Sequence, residues 1–266
     1  MCGSSLQTRR DRGNILALVD RVKARDIPAV SRMITLLENQ EPDGIAALRQ
    51  LRSVPPHSAV IGITGYPGAG KSTLIDQLVA AYRQQGRRVG VLATDISSPL
   101  TGGAILGDRI RMQEHALDRD VFIRSMATRG QHGGLARATR EAVMILEAAG
   151  YDVILIETIG VGQGEVDILD IAQTVVAVVT PGLGDEVQAM KAGLLEVAHI
   201  VVLNKGDHPG ADMALRDLRE CCPLVLRTVV VNGEGIPELV MAIADHQRMI
   251  DLRGQLPNPL GERQPR

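Results

Sequence analysis

The stretch AVIGITGYPGAGKSTLI, residues 59–75, decides the fold. Its first six residues, 59–64, form a short apolar run with β-branched Val and Ile, and read as a buried strand. GYPGAGKS, residues 65–72, follows at once, fits G-x-x-x-x-G-K-S in full, and opens a helical pattern over 71–85. Gly65, Gly68 and Gly70 let the backbone curl until successive N–H groups point inward at a helix N-terminus, which makes an anion cradle. Lys71 supplies a mobile cation for β- and γ-phosphates, and the Ser72 hydroxyl is a hard oxygen of the kind Mg²⁺ takes.

Outward from this unit the alternation continues. Apolar runs at 88–94, 120–125, 152–157, 174–180, 199–203 and 224–230 read as further strands, and helical patterns lie at 108–118, 135–149, 185–197, 209–221 and 235–250. Strand–helix alternation of this kind requires right-handed crossovers, so the expected fold is α/β: a doubly wound, mainly parallel sheet of about seven strands with helices on both faces. Ligands then gather at the carboxyl ends of the strands. Residues 14–53 lack strand alternation and carry apolar positions at helical spacing, among them Leu18, Val22, Val30, Ile34 and Leu37. Pro55 and Pro56 end that pattern. The expected organisation is a helical N-terminal extension (1–54), a nucleotide-binding domain (55–250) and a Pro-rich, polar tail (251–266).

Composition narrows the function classes. The chain has 266 residues, 45% hydrophobic and 23% charged, and a formal charge of −2, so no general basic field attracts polyanions. One Phe, three Tyr and no Trp leave no base-stacking platform for nucleic acid, and the core must be aliphatic. No apolar run reaches the ~18 residues of a membrane span. The cysteines are Cys2 and the neighbours Cys221 and Cys222, which suit a reducing compartment. The expected location is the cytoplasm. MCGSSLQTRRDRG at the start is Ser/Arg-flavoured like a transit peptide, yet short and interrupted by Asp11.

A second motif names the base. NKGD, residues 204–207, ends the strand at 199–203. There Asp207 can accept from the ring N–H and exocyclic amine of guanine, whereas adenine offers no such pair of donors. Lys205 would lie along the base and Asn204 would brace the loop. Acids at strand ends supply the metal environment: Glu157 closes the strand at 152–157, Asp95 follows the strand at 88–94, and Asp108 opens the next helix. For Asp108 a favourable helix-dipole charge is an equal reading. Glycine-rich loops at 101–107, 130–134, 160–164 and 182–184 fall on the same rim and look like switches. Gln163 stands where it could position water. His132 reads as a solvated loop residue, and no histidine has metal-site companion spacing.

GITGYPGAGKSTLI (62–75), DISSPLTGGAILGDRIRM (95–112), ATREAVMILEAAGYDVILIETIGVGQGE (138–165) and PGLGDEVQAMKAGLLEVAHIVVLNKGD (181–207) together resemble the MeaB/ArgK family of P-loop GTPases, over roughly residues 15–246. The resemblance implies a G-protein chaperone that gates cofactor delivery to, and protects, an adenosylcobalamin-dependent acyl-CoA mutase such as methylmalonyl-CoA mutase. It implies GTP or GDP and Mg²⁺ as cofactors. Phosphate contacts come from Gly65, Gly68, Ala69, Gly70, Lys71, Ser72 and Thr73. Guanine contacts come from Asn204, Lys205 and Asp207, and the Mg²⁺ environment from Ser72, Asp95, Asp108 and Glu157. Lys71, Gln163 and Lys191 are the candidate catalytic residues, Lys191 within a further switch at 184–191, and a homodimer is possible. Departures from the family pattern are Ile96 where Pro is usual, His132 where Leu is common, and VVNGEG (230–235) in place of a small Ser-Ala loop. The competing expectations are a nickel-enzyme metallochaperone GTPase and a P-loop small-molecule kinase.

Overall fold

The computed structural model describes residues 3–51, 57–95, 115, 117–127, 138–158, 167–182, 195 and 198–255. Three helices come first: α1 (Gly3–Lys23), α2 (Ile27–Glu38) and α3 (Pro42–Leu51). Helices and strands then alternate: β1 (Ala59–Gly65), α4 (Lys71–Gln84), β2 (Val89–Asp95), β3 (Val121–Ala127), α5 (Thr139–Ala148), β4 (Val153–Glu157), β5 (Thr174–Val179), β6 (Ile200–Leu203), α6 (Ala211–Cys221), β7 (Val225–Arg227) and α7 (Ile236–Gln255). Most of the expected helices at 108–118 and 185–197, and of the glycine-rich loops, lies outside the described residues. Among the described helices none is long and apolar enough to cross a membrane.

The seven strands form one sheet in the order β3-β2-β4-β1-β5-β6-β7, every neighbouring pair parallel. The chain leaves β1 toward β2 and leaves β4 toward β5, in opposite directions along the sheet. A crevice therefore opens at the carboxyl ends of the central strands.

Period-2 alternation divides the strand side chains between two covers. Ile61, Ile63, Leu155, Val176, Val178, Ile200 and Val202 pack with Leu74 and Leu78 of α4 and Leu239 and Ile243 of α7. On the opposite face Val60, Leu92, Phe122, Ile154 and Ile156 pack with Val19, Val30, Met33, Ile34 and Leu48 of the first three helices, and with Ile145 and Leu146 of α5. The N-terminal helices thus cover the sheet and share one core with it. Farther along that face, α6 covers Ala177, Val179, Val201 and Leu203 through Ala211 and Leu218.

Two elements differ from expectation. The strand expected over 224–230 stops at Arg227, because the donors beyond it are taken locally: Val230 N–H donates to Asn204 Oδ1 at 3.2 Å and Val229 N–H to the Glu234 carbonyl at 3.2 Å. Residues Val230–Asn232 form a 3₁₀ turn instead. The last helix runs to Gln255, five residues past its expected end at 250, so the beginning of the expected tail is helical.

Candidate functional site

The site is built where β1 leaves the sheet. Gly65 has φ 140°, and a Cβ there would stand 2.2 Å from the Val178 carbonyl oxygen of β5, so only glycine lets the chain turn away at this point. Five residues later Gly70 caps α4 at φ 97° without a side-chain bond, and a Cβ there would meet Asn204 Nδ2 at 2.4 Å. Between them the backbone curls so that the amides of the first turn of α4 face the crevice with the positive end of the helix dipole behind them.

Lys71 is buried, and its Nζ donates to the carbonyl oxygens of Gly65 at 2.8 Å and Tyr66 at 3.2 Å. The cation is held against the loop it follows, within the cradle. The Ser72 hydroxyl donates to Glu157 Oε1 at 2.8 Å, with both residues buried. Parallel register explains the meeting: Ile63 lies opposite Glu157, so β4 ends level with the start of the loop. Thr158 extends the tie, its hydroxyl donating to Thr64 Oγ1 at 3.0 Å and its N–H to the Ile63 carbonyl at 3.1 Å. Asp95 ends β2 two residues beyond Ala93, the register partner of Glu157, and so lies on the same rim.

The base-reading loop is fastened to the phosphate loop by one side chain. Asn204 is buried; its Nδ2 donates to the Ala69 carbonyl at 2.8 Å, and its Oδ1 accepts from Thr228 Oγ1 at 3.3 Å and Val230 N–H at 3.2 Å. Asn204 thus ties together the loops after β1, β6 and β7. Lys205 adopts the left-handed conformation at φ 55°, and Lys205 and Asp207 are exposed at the crevice mouth. Gly206 N–H donates to the Thr228 carbonyl at 2.9 Å, and its own carbonyl accepts from the Arg227 guanidinium, which also pairs with Asp212 at 2.7 Å.

These parts line one cleft of about 340 Å³. Gly68, Gly70, Lys71, Ser72, Thr73 and Glu157 form one end, and Asn204, Lys205, Asp207, His208 and residues 229–231 form the other. The first end offers amide donors, a cation and hard oxygens, which suits phosphates. The second offers an exposed carboxylate, a lysine stem and a valine ledge, which suits a flat heterocycle. Ala69 contributes its carbonyl to the Asn204 tie rather than to the lining. Asp108, Gln163, Lys191 and His132 lie outside the described residues. The valine ledge and Arg227 were not expected. VVNGEG was legible only as a departure from a small Ser-Ala loop, and nothing in the spacing ties Arg227 to Gly206. Among the described residues no three His, Cys, Asp or Glu side chains converge as metal ligands.

Arg227→Ala should weaken GDP binding about five- to tenfold, since one charge-assisted bond to the Gly206 carbonyl is worth about 1–1.4 kcal/mol here. Calorimetric titration of GDP and ADP checks this: the loss should appear for the guanine nucleotide and leave the weak adenine nucleotide affinity unchanged.

A family model described as methylmalonyl Co-A mutase-associated GTPase MeaB matches residues 30–265. A protein of Pyrococcus horikoshii named as a GTPase is 48% identical over 252 residues, covering 90% of this chain and 80% of its own length. The methylmalonic aciduria type A homolog of Mus musculus, named as mitochondrial, is 39% identical over 210 residues, 74% of this chain and 51% of that protein. Among solved structures, an LAO/AO transport system kinase superposes with a TM-score of 0.70 at 27% identity, covering 91% of this chain and 78% of the other.

Proposed function

The chain belongs to the MeaB family of P-loop GTPases, and on that premise we propose that it is a nucleotide-dependent chaperone of an adenosylcobalamin-dependent acyl-CoA mutase. In this reading its GTP or GDP state gates cofactor delivery and protects the mutase from inactivation. The observation that carries it is the family match across residues 30–265, set on a cleft whose two ends suit phosphate and guanine. The name of the Mus musculus relative points to the same metabolism.

As a GTPase the protein acts chiefly by positioning and charge. The amides at the start of α4 and the Lys71 cation hold the β- and γ-phosphates, while Asn204 keeps the base loop at a fixed distance from them. Asp207 accepts from guanine, Lys205 lies along the ring, and the valine ledge at 229–231 excludes water from the other side. Ser72 and Glu157 fit a magnesium ion: a hydroxyl and a carboxylate 2.8 Å apart, both buried, are the hard oxygens it takes. Asp95 on the same rim and Asp108 complete the proposed donor set. When bound, the ion would neutralise charge on the β- and γ-phosphates. Gln163 is proposed to orient the attacking water, and the segment 184–191, with Lys191, to carry the nucleotide state to the partner. A homodimer and a cytoplasmic location belong to the same reading.

Among the described residues no arginine lines the cleft, so turnover of the protein alone should be slow. Adding the purified cognate mutase should raise it at least about tenfold, or about 1.4 kcal/mol of barrier, and by linkage the mutase should change GTP affinity. Single-turnover assays with and without the mutase test this. An unchanged rate, no complex and no nucleotide-dependent effect on cofactor loading would remove the chaperone reading while leaving the GTPase intact.

A further inference from the structure

We propose that Cys221 and Cys222 form a two-thiol site that captures trivalent organoarsenical compounds. The pair stands apart from the nucleotide cleft, at the junction of α6 and the segment leading to β7. Both are reduced thiols, Cys221 exposed and Cys222 buried, and their sulfurs are 3.6 Å apart.

Neighbouring side chains ordinarily diverge, by about 100° around a helix and by a full reversal along a strand. Here the conformation changes between the two. Cys221 is the last helical residue, and Cys222 is extended at φ −120° and ψ 135°, which turns both sulfurs to one side. Cys222 is fixed: its N–H donates to the Leu218 carbonyl at 2.9 Å, and it packs in the small core with Val201, Leu218 and Val225. Cys221 Sγ lies over the last turn, within 3.4 Å of the Leu218 carbonyl. One sulfur is held by the core and the other waits at the surface, so little ordering remains when one centre binds both.

The geometry favours a bridging atom over a direct bond. Neighbouring Cα atoms are about 3.8 Å apart across a trans peptide, less than the roughly 4.4 Å at which ordinary disulfides begin. Two sulfurs each about 2.3 Å from one soft pyramidal centre at an angle of about 100° stand about 3.5 Å apart, close to the separation here. A zinc ion would need four ligands, and among the described residues no third His, Cys, Asp or Glu joins the pair. An organoarsenical already carries its carbon and needs only two sulfurs. As each As–S bond forms the thiol gives up its proton, the two protons leave with the arsenical oxygen as one water, and no electrons are exchanged.

The probe is phenylarsine oxide, added to the full chain and read by intact mass. The expected result is one phenylarsenic unit per chain that resists excess glutathione, is removed by a small dithiol, and persists in Cys2→Ser. Cys221→Ser, at an exposed position, should lower the glutathione concentration needed for displacement at least about a hundredfold, since it removes the second, intramolecular thiol. Cys222→Ala should do the same, with GTP binding measured on both variants to confirm that the fold is kept. Removal from the unaltered chain by glutathione, or retention in Cys221→Ser, overturns the proposal.

Discussion

Lys71→Ala should lower single-turnover GTP hydrolysis about a hundred- to thousandfold, which is about 2.7–4 kcal/mol of transition-state stabilisation. The magnitude follows from where the cation sits. Nζ lies 2.8 Å and 3.2 Å from two carbonyl oxygens of the loop it must serve, buried at the phosphate end of the cleft. Charge gathering on the β- and γ-oxygens meets it with little water between, and the side chain needs little reorganisation to reach them. The diphosphate, which lacks the γ group, should lose less affinity than the triphosphate. Thermal unfolding of the variant separates this from damage to the loop, because the same nitrogen ties Gly65 and Tyr66 together. Unchanged turnover would mean that Lys71 does not face the reacting phosphates.

Asp207→Asn should cost at least about a hundredfold in GTP affinity and shift preference toward xanthosine nucleotides. A carboxylate accepts two guanine donors, and an amide in its place presents a donor where guanine also donates, leaving groups unpaired in the bound state. The 2-oxo group of xanthine suits that amide. ATP should bind the unaltered protein far more weakly than GTP for the same reason. The loop carrying Asp207 is held from three directions, by Thr228 at the Gly206 N–H, by Arg227 at the Gly206 carbonyl and by Asn204 beneath, so the backbone that presents the carboxylate is fixed. Equal calorimetric affinities for ATP and GTP would refute this account of base selection.

Much of the fold was legible because its signals are local. Runs such as those of β1, β4 and β5, short and with Val and Ile at successive positions, read as strands covered on both faces, and the loop at 65–72 fixes which end of the sheet binds. Lys71, Ser72, Glu157, Asn204, Lys205 and Asp207 were legible for the same reason, since each sits in a motif whose spacing sets its place. What escaped depends on contacts between distant residues. Arg88 begins a strand-like run, yet it is buried under the α5–β4 turn, with its guanidinium on the Ala149 and Gly150 carbonyls and 4.4 Å from the Tyr151 ring centre. Arg227 belongs to the base loop only because β6 and β7 pair in parallel. The first three helices showed their apolar stripes in sequence, but not that the stripes face β2, β3 and β4.

That last arrangement gives the two faces of the sheet different histories on the ribosome. Three of the helices that will cover Leu92, Phe122, Ile154 and Ile156 emerge before any strand exists, so those side chains meet part of their cover already made. The other face is covered in two stages: α4 follows β1 directly, but α7, which completes the shield over Val176, Val178, Ile200 and Val202, is the last described element to leave the tunnel. Until it does, a nascent chain already holding a complete phosphate loop carries a stripe of half-covered valine and isoleucine. A chain stalled before residue 236 would be a client for holding chaperones, whereas one released after residue 255 would not.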